Sequence, residues 1–194
     1  CTANSHYDVI DLETLPDAYL PRTNYRPIIE RVEYGLRTAH VSWVESGETT
    51  MKPMTAYFRL VNREMLSQSG ERTLITTLIP PGVAHVNTTL AHAFKNSREL
   101  VGLLGFTHSL PVDFRVKSTG MGHAHTTLVG QIPIPNEWQP EIVCRALSLN
   151  CLAIHYGPLW TQIFDPEFTN QSWSQPNNPR QPQDFFTRLT PQWQ

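Results

Sequence analysis

Apolar residues recur along this chain with a helical period in its third quarter and a strand-like period in its middle. Neither end shows a clear period. From Glu137 to Phe164, the residues Ile142, Ala146, Leu149, Ala153, Tyr156, Trp160 and Ile163 are spaced by alternating steps of four and three, the signature of a helix seam. A helical segment is therefore expected over 137–168. Gly157-Pro158 should kink it or split it in two, because proline carries no amide hydrogen and clashes with the preceding turn. The seam needs a partner, either the sheet or a helix outside this chain.

Residues 56–62 (AYFRLVN) and 71–79 (ERTLITTLI) are rich in aromatic and β-branched side chains and flank turn chemistry at 67–70, which predicts an antiparallel strand pair. Pro80-Pro81-Gly82 must end the second strand. A third short strand is expected over 83–90. Leu100, Leu103, Leu104 and Phe106 then signal a helix from Ser97, and a second short helix is expected over 111–117. The stretch 119–125 (TGMGHAH) reads as a glycine-containing loop, and 127–135 (TLVGQIPIP) as a strand broken by its prolines.

Residues 1–21 lack periodicity and predict an extended lead-in that wraps another surface. A short helix is expected over 23–36, with Thr23 or Asn24 as its N-cap, and HVSWV (40–44) should form an edge strand. Residues 169–194 form a Pro-, Gln- and Asn-rich tail with Trp173, Phe185, Phe186 and Trp193 as docking anchors. The expected architecture is α+β: a mixed, mainly antiparallel sheet with packed helices and a long, kinked C-terminal helix, loop-rich throughout. It divides into a lead-in (1–55), a core (56–136), the helical segment (137–168) and the tail (169–194).

Composition fits a folded protein with long loops. Of 194 residues, 40% are hydrophobic, and 16 Pro exceed 10 Gly, so irregular connections are expected but wholesale disorder is not. The net charge of −2 supplies no global positive field for polyanions. Residues 56–118, with seven basic and four acidic side chains, are the one net-basic stretch. Cys144 and Cys151 on one helix would lie about 10.5 Å apart, too far for a disulfide. Free thiols fit a reducing, cytoplasmic setting. No apolar run suggests a membrane span, and a chain opening on Cys1 reads as part of a longer protein.

Chemistry-bearing motifs are sparse. No nucleophile elbow or phosphate loop occurs. His123-x-His125 lacks further ligands at a recognised spacing, so a polar loop is the expected reading and no metal is assigned. Glu64, Glu71 and Asp113 lie close in sequence to Arg63, Arg72 and Arg115, which suggests solvated ion pairs. The remaining candidates are the bases Arg59, Arg63, Arg72, Lys95, Arg98, Arg115 and Lys117. In a regular strand Arg59 and Arg63 face the same way. Arg and Lys hold phosphates, and Arg also reads guanine. Nucleic-acid contact is therefore expected at Arg59, Arg63, Arg72, Lys95, Arg115, Lys117, His123 and His125.

The run from Tyr57 to Pro135 carries a resemblance. Arg59–Arg63, then Glu71-Arg72-Thr73-Leu74-Ile75, Ser109, and Ile132-Pro133-Ile134-Pro135 resemble the specificity region of single-chain adenine methyltransferases of type IIG and type IIL restriction-modification systems and related phage-defence methylases. Residues 145–160 look like the helical stretch that follows it. The likeness spans about 100 to 140 residues and rests on structural punctuation. It implies a DNA target-recognition domain that binds double-stranded DNA beside a separate catalytic domain. That domain would bind S-adenosylmethionine and flip adenine, so no cofactor is expected in this chain.

The catalytic motifs of such enzymes are absent here. Ile79-Pro80-Pro81-Gly82 lacks both the amide or carboxylate and the aromatic that would grip a flipped base. The acidic lead-in is expected to pack on the catalytic domain. The alternatives are a scaffolding domain of a defence complex, which would expose an apolar stripe, and a small-molecule enzyme with a pocket around His85, His123 and His125.

Overall fold

A computed structural model describes residues 9–21 and 27–192. A short helix, α1 (Arg31–Arg37), precedes three strands, β1 (Arg59–Arg63), β2 (Thr76–Ile79) and β3 (Thr89–Ala93). Five helices follow: α2 (Ser97–Thr107), α3 (Leu110–Ser118), α4 (Thr126–Val129), α5 (Pro140–Asn150) and α6 (Gly157–Ile163). The strands form an antiparallel sheet in the order β2-β1-β3, so the class is α+β.

Local chemistry sets the helix boundaries. Asn96 caps α2 by accepting the Arg98 amide at 2.9 Å, and Ser109 caps α3, with Pro111 in the first turn. Both caps satisfy amides that the helix itself leaves unpaired. α2 packs on the sheet with one face and on α5 with another. Close approach there requires glycine: a Cβ at Gly102 would overlap the Trp138 ring, and one at Gly105 would lie 3.0 Å from the Ile142 carbonyl. Leu100, Val101, Leu104, Val143, Leu147, Leu159 and Trp160 fill this main core, each aliphatic side chain stabilising the fold by about 1.5–3 kcal/mol.

A second, smaller apolar cluster lies apart from the first. It joins Leu74, Val112, Val116, Ala124, Leu128 and Ile132 and lies beneath the loop of residues 119–125. The tail is docked: Trp173, Phe185 and Phe186 contact one another, and Arg145 of α5 lies over the Phe186 ring.

Several sequence expectations give way to tertiary contacts. The strand expected over 71–79 starts only at Thr76, because the Asp113 carboxylate takes the amides of Thr73 and Leu74 at 2.9 and 2.8 Å. Asp113 is buried, and its charged partner is Arg72 at 3.8 Å, not Arg115. The third strand covers 89–93 and not 83–90. Residues 127–135 form no strand: Leu128 and Ile132, four apart, turn inward from α4 and the turn after it. The edge strand expected over 40–44 reduces to one bridge, His40 to Pro53.

The long kinked helix is two separate helices. α5 ends at Asn150, with Cys151 at its C-cap, while Gly157-Pro158 opens α6, a position where the missing proline amide costs nothing. α1 starts at Arg31, and the expected caps Thr23 and Asn24, like Trp193, lie outside the described residues.

One carboxylate oxygen of Asp113 accepts both amides of the loop before β2. Asp113→Ala should therefore lower the unfolding free energy by about 3 kcal/mol, with Asp113→Asn milder, measured as a shift of the urea midpoint at constant m-value.

Candidate functional site

The chain beyond β1 builds one surface with the 119–125 loop. Glu64 N–H donates to the Thr88 carbonyl at 2.9 Å, Leu66 N–H to Gly122 at 2.9 Å, and Ala124 N–H to the Glu64 carbonyl at 2.7 Å. Met65 and His123 form an antiparallel bridge. The loop turns at Gly120, whose φ of +67° favours a residue without Cβ. Asn62, itself buried, anchors this junction. Its Nδ2 donates to the carbonyls of Ala124 and Arg63, both at 3.2 Å. Its Oδ1 therefore accepts from His92 Nε2 at 2.9 Å, which places the His92 proton on Nε2.

The eight residues expected to meet nucleic acid do not share one face. Five gather at this end. Arg63 Nε donates to the Met65 carbonyl at 2.7 Å, and Lys117 Nζ lies 3.4 Å from the Gly70 carbonyl. Arg72 donates to the His108 carbonyl at 2.7 Å and faces Asp113, so its guanidinium is partly committed to the fold. His123 and His125, both exposed, stack with their rings 6° from parallel and 5.4 Å apart. Arg115 is exposed but leaves α3 about 200° around the axis from Lys117.

Arg59 and Lys95 lie elsewhere. Arg59 is 2% exposed; its Nε reaches the Tyr57 carbonyl at 3.3 Å and its terminal nitrogen the Val83 carbonyl. Burial lowers its pKa from the usual guanidinium range. The expectation of an exposed Arg59 fails because the lead-in covers that face of the sheet. Tyr34, Thr38, Met54, Thr55 and His85 line a cleft of about 350 Å³ there with Arg59. Lys95 lies two residues beyond Ala93, the β3 residue paired with Arg59, and so past the far end of the sheet from Arg63, which is itself roughly 13 Å along the strand from Arg59. Arg98 is held by Asp165 at 3.1 Å.

Sequence spacing gives no sign that Glu64 belongs to this site. Its Oε1 lies 3.6 Å from His123 Nδ1 and 3.7 Å from His125 Nδ1. Glu64 and His123 are far apart in sequence, and only the strand-to-loop pairing joins them. His85 does not join this group; it sits at the Arg59 cleft. The thiols are unsuited to nucleophilic work. Burial pushes Cys144 up to about 11 and raises Cys151 further. Comparison with family models, curated proteins and solved structures finds no match to this chain.

These environments set the behaviour of the thiols and of one imidazole. Cys144 and Cys151 should resist alkylation in the folded protein at about pH 8 and react once urea unfolds it, which peptide mass mapping can read. Burial holds the His92 imidazole below the usual histidine value, so the unfolded chain takes up a proton that the folded chain resists. Its contribution is complete above about pH 6.5 and is lost as pH falls through the lower folded-state value. Between about pH 7.5 and 5, the urea midpoint should therefore fall less in His92→Gln than in the parent chain.

Proposed function

We propose that this chain is the DNA target-recognition part of an adenine-specific DNA methyltransferase of the restriction-modification or phage-defence type. It would position duplex DNA for a separate catalytic domain that binds S-adenosylmethionine. The observation that carries this reading is the backbone pairing of the chain after Arg63 with the His123/His125 loop, with Lys117 of α3 reaching Gly70 on the connection between β1 and β2. Arg63 and Lys117 donate to backbone carbonyls here. In this role the two cations clamp phosphates and fix register, while the 119–125 loop, set on its own small core, approaches the base edges.

A second feature supports a partner domain of the same protein. Val32 and Leu36, one turn apart on α1, and Ile28 just before it are each more than 70% exposed, an apolar stripe of the kind that packs on another surface. The same stripe favours the alternative of a protein-interaction domain in a defence complex, which predicts no DNA affinity at all.

Binding of mixed-sequence duplex, followed across salt concentration, separates the two. Affinity should fall with salt, and Arg63→Ala with Lys117→Ala should flatten the log–log slope by about 0.9 for each phosphate no longer neutralised. Arg59→Met, at a buried position, should change stability and leave that slope intact. Absence of binding at low salt, or an unchanged slope in the double variant, overturns the recognition reading.

A further inference from the structure

The Glu64, His123 and His125 side chains converge in a way that charge pairing explains poorly. Charge-assisted hydrogen bonds between imidazolium and carboxylate are about 2.7–2.9 Å long, whereas one Glu64 oxygen stands 3.6 and 3.7 Å from the two histidines. Two protonated imidazoles stacked 5.4 Å apart would also repel each other. Both rings turn the same atom, Nδ1, toward that single oxygen.

The three donors have the spacing of a shared ion. Nitrogen and oxygen ligands about 2.0–2.1 Å from a tetrahedral zinc ion lie about 3.3–3.4 Å from one another. The donor atoms here all fall within 4.8 Å of one another. Small rotations of side chains that are 53%, 56% and 26% exposed close the remaining gap. The backbone beneath them is fixed on both sides by the Met65–His123 bridge, the Ala124–Glu64 hydrogen bond and the Asn62 amide on the Ala124 carbonyl. Ala124, between the two histidines, is fully buried, so the alternation of an extended chain sends both imidazoles outward.

We infer that Glu64, His123 and His125 form a binding site for a first-row divalent transition-metal ion. Two imidazoles and one carboxylate suit zinc, iron(II) or cobalt(II) better than magnesium or calcium, which prefer all-oxygen shells. Three protein ligands leave at least one coordination position facing solvent, where water or an anionic oxygen completes the shell. The site does not depend on the DNA reading, because metal binding is measured without DNA.

The test is titration of the metal-free chain with Co²⁺ followed by visible absorption, and with Zn²⁺ followed by calorimetry. One equivalent of Co²⁺ should bind with the visible bands of a four- or five-coordinate ion, and Zn²⁺ should displace it while Mg²⁺ does not. Glu64→Gln should weaken binding at least about tenfold, and His123→Ala with His125→Ala should abolish those bands, with circular dichroism unchanged in both. No stoichiometric binding by the parent chain, or equal binding by the double histidine variant, overturns the site.

Discussion

The arrangement of the site depends on the Asn62 side chain, which ties the sheet to the 119–125 loop. It is 1% exposed and reaches three separate parts of the chain: the carbonyl that follows it, the Ala124 carbonyl between the two loop histidines, and the His92 ring on β3. A buried amide costs free energy unless its hydrogen bonds are met, and these three partners engage both its amide nitrogen and its oxygen. Sheet register and loop position are therefore coupled: a slip of β3 or a drift of the 119–125 loop would strand a polar group away from water. Asp113 plays the corresponding part at the loop before β2, where it replaces ladder hydrogen bonds with a carboxylate from α3.

Much of the framework can be read from the chain itself. A strand expected over 56–62 and found at Arg59–Arg63, helices expected from Ser97 and over 111–117 and found at Ser97–Thr107 and Leu110–Ser118, and the proline stop after Ile79 follow from β-branched content, apolar spacing and missing amide hydrogens. The elements that escape such a reading are those decided by distant partners. Residues 71–75 carry good strand chemistry, yet Asp113, about forty residues away, outcompetes the ladder. The seam expected over 142–163 does not hold as one buried face: Ala146, Trp160 and Ile163 are buried but Leu149 is exposed, α5 buries Val143, Cys144 and Leu147 instead, and the chain breaks at Cys151 before α6 returns over the main core.

The site is legible in the same uneven way. Arg63, Lys117, His123 and His125 stand out by residue type, and of these the structure stacks His123 on His125. Arg59 shares their chemistry and the strand face of Arg63, but burial depends on what the lead-in covers, which strand periodicity does not encode. By sequence Glu64 is an ion-pair partner of its neighbour Arg63, since a ligand set assembled across a strand–loop bridge leaves no local spacing to recognise.

The division of apolar packing into two clusters bears on how such a chain can diversify. Most of the burial energy resides where α2, α5 and α6 meet the sheet, while the loop bearing His123 and His125 is anchored through Ala124 in a minor cluster with five other side chains. Substitutions that reshape that minor cluster can redirect the loop while the major cluster keeps the chain folded, because distant sites contribute to stability nearly additively. The fold thus separates the part that keeps the chain folded from the part that sets where the 119–125 loop stands, so the loop's surface can change by small steps while the chain stays folded.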